Sequence, residues 1–348
     1  MEERLVKLRI HLSLQAAIWL ALLFVAAATI AFNASEVAAI ADVLSAARAP
    51  YLGVLAVVEV IFILNMGLFY TSTFQASGVP ASAWRFTLVS AAAYFVNLVS
   101  KTSGFGGLTL YLREGRRHGD PPLKTTAAYM AAYALGYAAF LALLVISLIL
   151  LYVEGSLTRL DVAASAVLFC LVVAVSTVLM AGLRSEASLE RLFLLAIAPV
   201  NLVGRRVVGK EVIAPEGLRH SARELHESVH LMLRRPRRFL IPFGHALAIE
   251  LLSALGLFLV ARSLGVPIGF ELAVAGYALS LLFAILAVTP AGLGFVEASL
   301  AVFLVSVGMS RHEAIAVTLG FRLFDFWLPV AVGALSVLAL RLTEAGGE

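Results

Sequence analysis

The chain has 348 residues, of which 61% are hydrophobic and 14% charged, and its mean hydropathy is +0.97. Several apolar runs exceed the ~18 residues that mark a membrane span, and strand-like alternation is missing, which argues against both a soluble domain and an outer-membrane barrel. The net charge of +4 comes from arginines beside the apolar runs; orientation and lipid headgroups account for them, and no nucleic-acid partner is implied.

The chain opens with Arg4, Lys7 and Arg9 ahead of an apolar run at residues 12–31. No processing context follows, so this run reads as a first span rather than a signal peptide. The next linker, with Glu36, Asp42 and Arg48, is weakly acidic, and the basic flank therefore places the N-terminus in the cytoplasm. A second span at residues 51–70 contains Glu59. An acid inside a span is expensive and faces a partner or a cavity.

A shorter apolar piece then runs into NLVSKTSGFGGLTLYLREGRRHG, residues 97–119. Gly104, Gly106 and Gly107 interrupt it, and Arg113, Arg116 and Arg117 bring its far end back to the basic side. Residues 86–115 are therefore expected to form a re-entrant hairpin of short helices with Lys101 near the tip. A long span follows at residues 122–153. Its uncharged part, residues 125–153, is about 43 Å long at ~1.5 Å per residue. That exceeds a hydrocarbon core of about 30 Å, so the helix must tilt, bend near Gly136 or project from the membrane. A span at residues 160–181, holding the single Cys170, returns to the cytoplasm; with no second cysteine there is no internal disulfide.

Residues 183–238 form a basic linker in which Leu218, Ala222, Leu225, Val229 and Leu233 recur at helical spacing. That pattern suggests an amphipathic helix on the membrane surface. The span at residues 240–260 carries Glu250. Residues 273–307 then repeat the broken pattern: in TPAGLGFVEASL, residues 289–300, Pro290, Gly292 and Gly294 stop a helix, and Glu297 follows. A last long helix at residues 312–340 carries Arg322 and Asp325 and ends at Arg341 on the basic side.

The expected fold is an all-α integral membrane protein with about six full transmembrane helices, each crossing a core of ~30 Å, plus two re-entrant helical hairpins in an inverted repeat. Residues 1–182 form the first membrane repeat and residues 239–348 the remaining one. TSGFGGL, residues 102–108, lines up with TPAGLGF, residues 289–295, and Glu59 with Glu250. Broken helices near the midplane expose unpaired backbone groups, and helix N-termini favour anions such as phosphate.

At these residues the sequence resembles the lysylphosphatidylglycerol synthase transmembrane-region family. The resemblance rests on TPAGLGFVEASLAVFLVSVGMSRHEAIAVTLGFRLFDFWLPVAVGAL, residues 289–335, and on residues 97–119. It implies a flippase-like domain like that of multiple peptide resistance factor. The chain ends at Glu348, so the transferase that attaches lysine to phosphatidylglycerol there is not expected. Leu108 and Thr109 stand where the family commonly has a Glu, Ser103 replaces a proline, and Tyr133 and Gly136 align with Arg322 and Asp325.

Arg322 and Asp325 share a helix face. They form either a self-neutralising pair or a site in which Arg322 takes a lipid phosphate through its planar fork. Burying both charges for stability alone is poor energetics, which favours the site. Glu297 is placed to pair with Arg322 when the site is empty. Lys101 is a second candidate phosphate ligand, or a lysine snorkelling to the interface. Gly104, Gly106, Gly107, Gly292 and Gly294 would let backbone approach the headgroup, and Glu59, Glu250, Glu297 and Asp325 would supply polar or protonatable groups.

The expected function is translocation of a phospholipid or other polar-headed lipid across a prokaryotic cytoplasmic membrane, with both termini cytoplasmic and no cofactor. Anionic or phosphate-bearing lipids are the expected partners, beside a homo-oligomer or a lipid-synthesis enzyme. No ATP-binding motif is present, so an ion gradient, a partner or nothing at all drives the movement. Two other classes compete. His226, Glu227 and His230 spell HESVH, the spacing of a zinc metalloprotease, though on an arginine-rich polar stretch with no clear third ligand. A non-transporting partner of a lipid-modifying enzyme is the other.

Overall fold

A computed structural model describes residues 47–100, 105–153, 235–286 and 294–345, with isolated positions at 45 and within 185–194. The expected spans at residues 12–31 and 160–181 lie outside the described residues. So do Lys101, Gly104, Gly292, the HESVH motif and nearly all of the basic linker.

Every regular element among the described residues is helical. The first group is α1 (Ala49–Ala76), α2 (Ala83–Ser100), α3 (Phe105–Arg117) and α4 (Pro122–Val153). The second begins with a 3-10 turn, Pro236–Phe239, and α5 (Leu240–Ser263). It continues with α6 (Phe270–Leu286), α7 (Phe295–Ser306) and α8 (Arg311–Arg322). A π-helical turn, Leu323–Trp327, then leads into α9 (Leu328–Ala345). The order is the same in both groups: a long helix, a pair of short helices, a long helix.

Among the described residues, four stretches are long and apolar enough to cross a membrane: Ala49–Ala76, Pro122–Ser147, Pro236–Ser263 and Arg311–Leu340. The protein is therefore a multi-pass helical membrane protein. The helix α7, at 12 residues, spans only about 18 Å and is too short to cross a core of about 30 Å alone. Along α1, Val54, Val57, Ile61, Leu64 and Leu68 are exposed at helical spacing. In water such a stripe would be a liability; in a bilayer it is the lipid-facing side.

The helices α1 and α5 pack antiparallel. Near one end the Arg48 N–H donates to the Ser263 carbonyl at 3.0 Å. Towards the other end Asn65 Nδ2 donates to the His245 carbonyl at 2.9 Å, and its Oδ1 lies 2.7 Å from His245 Nδ1. This bidentate contact satisfies polar groups that lipid could not. Glu59 and Glu250 are each the eleventh residue of their helix, counting from Ala49 and Leu240. Each therefore lies about 15 Å from its helix start, near the middle of a ~30 Å core.

The first short pair, α2 and α3, is an antiparallel hairpin clamped at both ends. At the open end Arg85 Nε contacts Glu114 Oε2 at 3.1 Å. At the tip Asn97 Oδ1 accepts from the Gly107 N–H at 2.5 Å, and Asn97 Nδ2 donates to the Tyr129 hydroxyl at 3.3 Å. Tyr111 stacks between Tyr70 and Tyr129, with ring centres 4.9 and 5.2 Å away, and ties the hairpin to α1 and α4. The sequence reading places Gly106 and Gly107 in the break. They lie instead inside α3, Phe105–Arg117. Gly107 is needed there for proximity: a methyl group on it would meet the Asn97 amide and Ala93.

The last membrane stretch also differs from the expected single helix. The π turn widens it where it passes α2, and Tyr94 of α2 donates to the Asp325 carbonyl at 3.1 Å. The helix α9 then lies close against α2: a methyl on Gly333 would sit 2.5 Å from the Ala91 carbonyl oxygen. The start of α8 is a capping box in which the Ser310 hydroxyl and amide donate to Glu313.

Candidate functional site

Five helical elements bring their mid-depth polar residues to one cavity of about 300 Å³. The helix α5 contributes Glu250 and Ser253, α6 contributes Tyr277 and Ser280, and α2 contributes Tyr94. Arg322 ends α8, and Asp325 lies in the π turn. A second, water-sized space of about 20 Å³ adjoins it and is lined by Glu59. Phe62, Ser253 and Asp325 border both.

Arg322 is the centre of the arrangement. Its side chain is 3% exposed. Nε lies 2.5 Å from Glu297 Oε1, and Nη1 lies 3.9 Å from Asp325 Oδ2. The close contact with Glu297 is off the N–H axis, so neither atom has an aligned hydrogen bond, and Nη2 has no partner either. The guanidinium rests 4.5 Å over the Phe326 ring, which steadies it without using its donors. A buried arginine with free N–H groups facing a cavity is a ready anion ligand.

Glu297 has two tasks. One oxygen faces Arg322, and the other accepts from the Gly294 N–H at 2.6 Å. Gly294 has φ +84°, a conformation that suits glycine, and it starts α7. The carboxylate therefore caps its own helix and neutralises the arginine at once. Glu250 is 7% exposed and accepts from the Tyr277 hydroxyl at 2.8 Å. Glu59 Oε1 has no hydrogen-bond partner.

The structure thus brings Glu59, Glu250, Glu297, Arg322 and Asp325 into one polar centre. Gly106 and Gly107 stand apart from it, in the α2–α3 hairpin. The amides of Gly107 and Gly294 are already bonded to Asn97 and Glu297, so neither is open to a headgroup in this arrangement. Sequence reasoning missed Tyr94, Tyr277 and the π turn. A lone tyrosine in an apolar helix gives little signal, because tyrosine serves equally at membrane interfaces. The π turn has no breaker residue of its own: LFDFW reads as ordinary helix. Among the described residues no group of histidine, cysteine and acidic side chains is arranged to hold a metal ion.

The sequence model of the family described as "Lysylphosphatidylglycerol synthase TM region" matches residues 13–333. The chain belongs to this family. The match runs through both helical groups and includes every residue of the polar centre. A UPF0104 membrane protein of Pyrococcus horikoshii, PH1989, is 25% identical over 177 residues. The alignment covers 51% of this chain and 52% of that protein, so the chain spans about half the length of the curated relative it matches. For a lysylphosphatidylglycerol synthase TM-region domain, a polar centre enclosed by apolar helices is the feature that calls for a function.

Proposed function

We propose that the protein is a lipid translocase. It passes the headgroup of a phosphate-bearing lipid through the polar centre while the acyl chains stay in the bilayer. The observation that carries this reading is Arg322: buried at mid-depth, beside a cavity of about 300 Å³, with Nη2 unpartnered. Ion-paired arginine that served packing alone would have its donors filled, since unpaired buried polar groups are penalised.

The architecture supports the same reading. The helices α1 and α5 open the two groups and run antiparallel, as the expected inverted repeat requires. The short pairs α2–α3 and α6–α7 leave from opposite ends of the α1–α5 pair. Both are read as re-entrant hairpins, the first reached from the cytoplasmic side and the second from outside. Such repeats place their substrate sites near the midplane. The membrane is read as a prokaryotic cytoplasmic membrane, with both termini inside.

In the mechanism, the phosphate displaces Glu297 from Arg322 and takes its N–H groups in a bidentate bond. Glu297 keeps its hold on Gly294, so α7 stays capped while its contact with α8 is released. The released pair can then shift and open the other side.

The test is movement of fluorescent phosphatidylglycerol in phosphatidylcholine vesicles holding the purified full chain, read by quenching of outer-leaflet label. The parent chain is expected to expose inner-leaflet label, and Arg322→Ala to fall to the rate of empty vesicles. Loss of a charge-assisted bond of about 2 kcal/mol corresponds to about a thirtyfold loss of affinity. No movement by the parent chain, or undiminished movement by Arg322→Ala, overturns the reading.

A further inference from the structure

Among the described residues, four carboxylates, Glu59, Glu250, Glu297 and Asp325, share the polar centre with one guanidinium, which Glu297 and Asp325 approach directly. Fully ionised, the centre would hold three negative charges in excess at mid-membrane depth, where unpaired charge is strongly disfavoured. Glu297 has the close contact with Arg322, and Asp325 has the looser one. That leaves Glu59 and Glu250 with no positive partner among the described residues. The other groups facing the space are neutral donors: Tyr277 gives its hydroxyl to Glu250, and Tyr94 gives its own to the Asp325 carbonyl. His245, on the same helix as Glu250, is turned to Asn65.

An anion arriving at Arg322 makes the imbalance worse. Its charge must be matched by a cation that the acids can hold. A metal ion does not fit, since no group of carboxylates converges for one among the described residues. A proton does. Glu59 Oε1 accepts no bond and adjoins a water-sized space that reaches Asp325 and Ser253, which gives a protonated acid both room and a path.

We propose that Glu59, Glu250 and Asp325 form a proton site beside Arg322, loaded as the headgroup binds, so that lipid and proton occupy the polar centre together. The inference rests on the translocase reading and names its coupling ion. Arg322, with its buried and unpartnered Nη2, marks the anion end of the cavity, and the acids mark the cation end. Binding of either ligand then strengthens the other by the same factor.

The test uses the full chain in phosphatidylcholine nanodiscs and a short-chain phosphatidylglycerol as probe. Heats of binding in buffers of different ionisation enthalpy count the protons taken up. About one proton per lipid is expected, with affinity rising about tenfold for each unit of falling pH. In Glu59→Gln, Glu250→Gln or Asp325→Asn, whichever removes the loaded acid, the proton count falls to zero and affinity no longer follows pH. Binding by the parent chain without proton uptake overturns this inference and leaves the translocase reading standing. Affinity that follows sodium, on exchange for choline, and not pH also overturns it. Absence of any binding by the parent chain sinks the translocase reading itself.

Discussion

At the scale of single residues, the centre turns on how Glu297 divides its two oxygens. Oε2 caps α7 at Gly294, and Oε1 occupies Arg322. The tasks separate by substitution. Glu297→Gln keeps a carbonyl oxygen for the cap but removes the charge that competes with an incoming phosphate. It is expected to bind phosphatidylglycerol more tightly than the parent and to melt at nearly the same temperature. Glu297→Ala loses the cap as well, which costs about 1 kcal/mol, and its melting temperature is expected to fall. Equal affinity in Glu297→Gln and the parent would show that the carboxylate does not compete for Arg322. The sequence already pointed to Arg322, Asp325, Glu59, Glu250 and Glu297, because each is a charge inside an apolar run and each such charge needs a reason. It was silent on Tyr94 and Tyr277, whose hydroxyls matter only through the atoms they reach.

At the scale of elements, the π turn Leu323–Trp327 sets Asp325 relative to Arg322. A wide turn of this kind accommodates one extra residue in an otherwise α-helical stretch. Deleting Leu323 should convert it to ordinary helix, leaving α9 packed on α2 through Gly333. Asp325 would then stand two positions after Arg322, and residues so spaced do not face each other. The deletion variant is expected to reach the membrane and melt as the parent does, yet to move no fluorescent phosphatidylglycerol. Retained movement would show that the turn is a packing feature. The helix α1 runs on to Ala76, past the end expected at residue 70, because Ser77 and Gly78 are the first residues to stop it. Gly106 and Gly107 were misread as interruptions because glycine is a helix breaker. In fact they begin a helix, and at Gly107 the missing side chain makes room for Asn97.

At the scale of the whole molecule, the antiparallel contact of α1 and α5 puts the loops that follow them at opposite ends. If the groups are inverted repeats, Ser82 and His118 flank one hairpin on the cytoplasmic side, and Pro267 and His312 flank the other outside. Single cysteines at these exposed positions, in a Cys170→Ala background, give the check. A membrane-impermeant thiol reagent added outside intact cells is expected to label positions 267 and 312, and to label 82 and 118 only after lysis. Labelling of all four from one side would mean that the groups are not inverted.

Composition and hydropathy by themselves determined that the chain crosses a membrane as helices. Long uncharged apolar runs suit helices, which satisfy their own backbone in lipid, and the missing strand alternation argues against a barrel. They also picked out the charged residues, since a lone charge in such a run is conspicuous without any partner. Only the tertiary structure decided which of those charges meet. Glu59 and Asp325 are separated by most of the chain and brought to one space by packing alone. So are the two oxygens' separate uses in Glu297, the free nitrogen of Arg322, and the turn that aims Asp325, because hydrogen-bond direction and helix register depend on neighbours that local sequence does not contain.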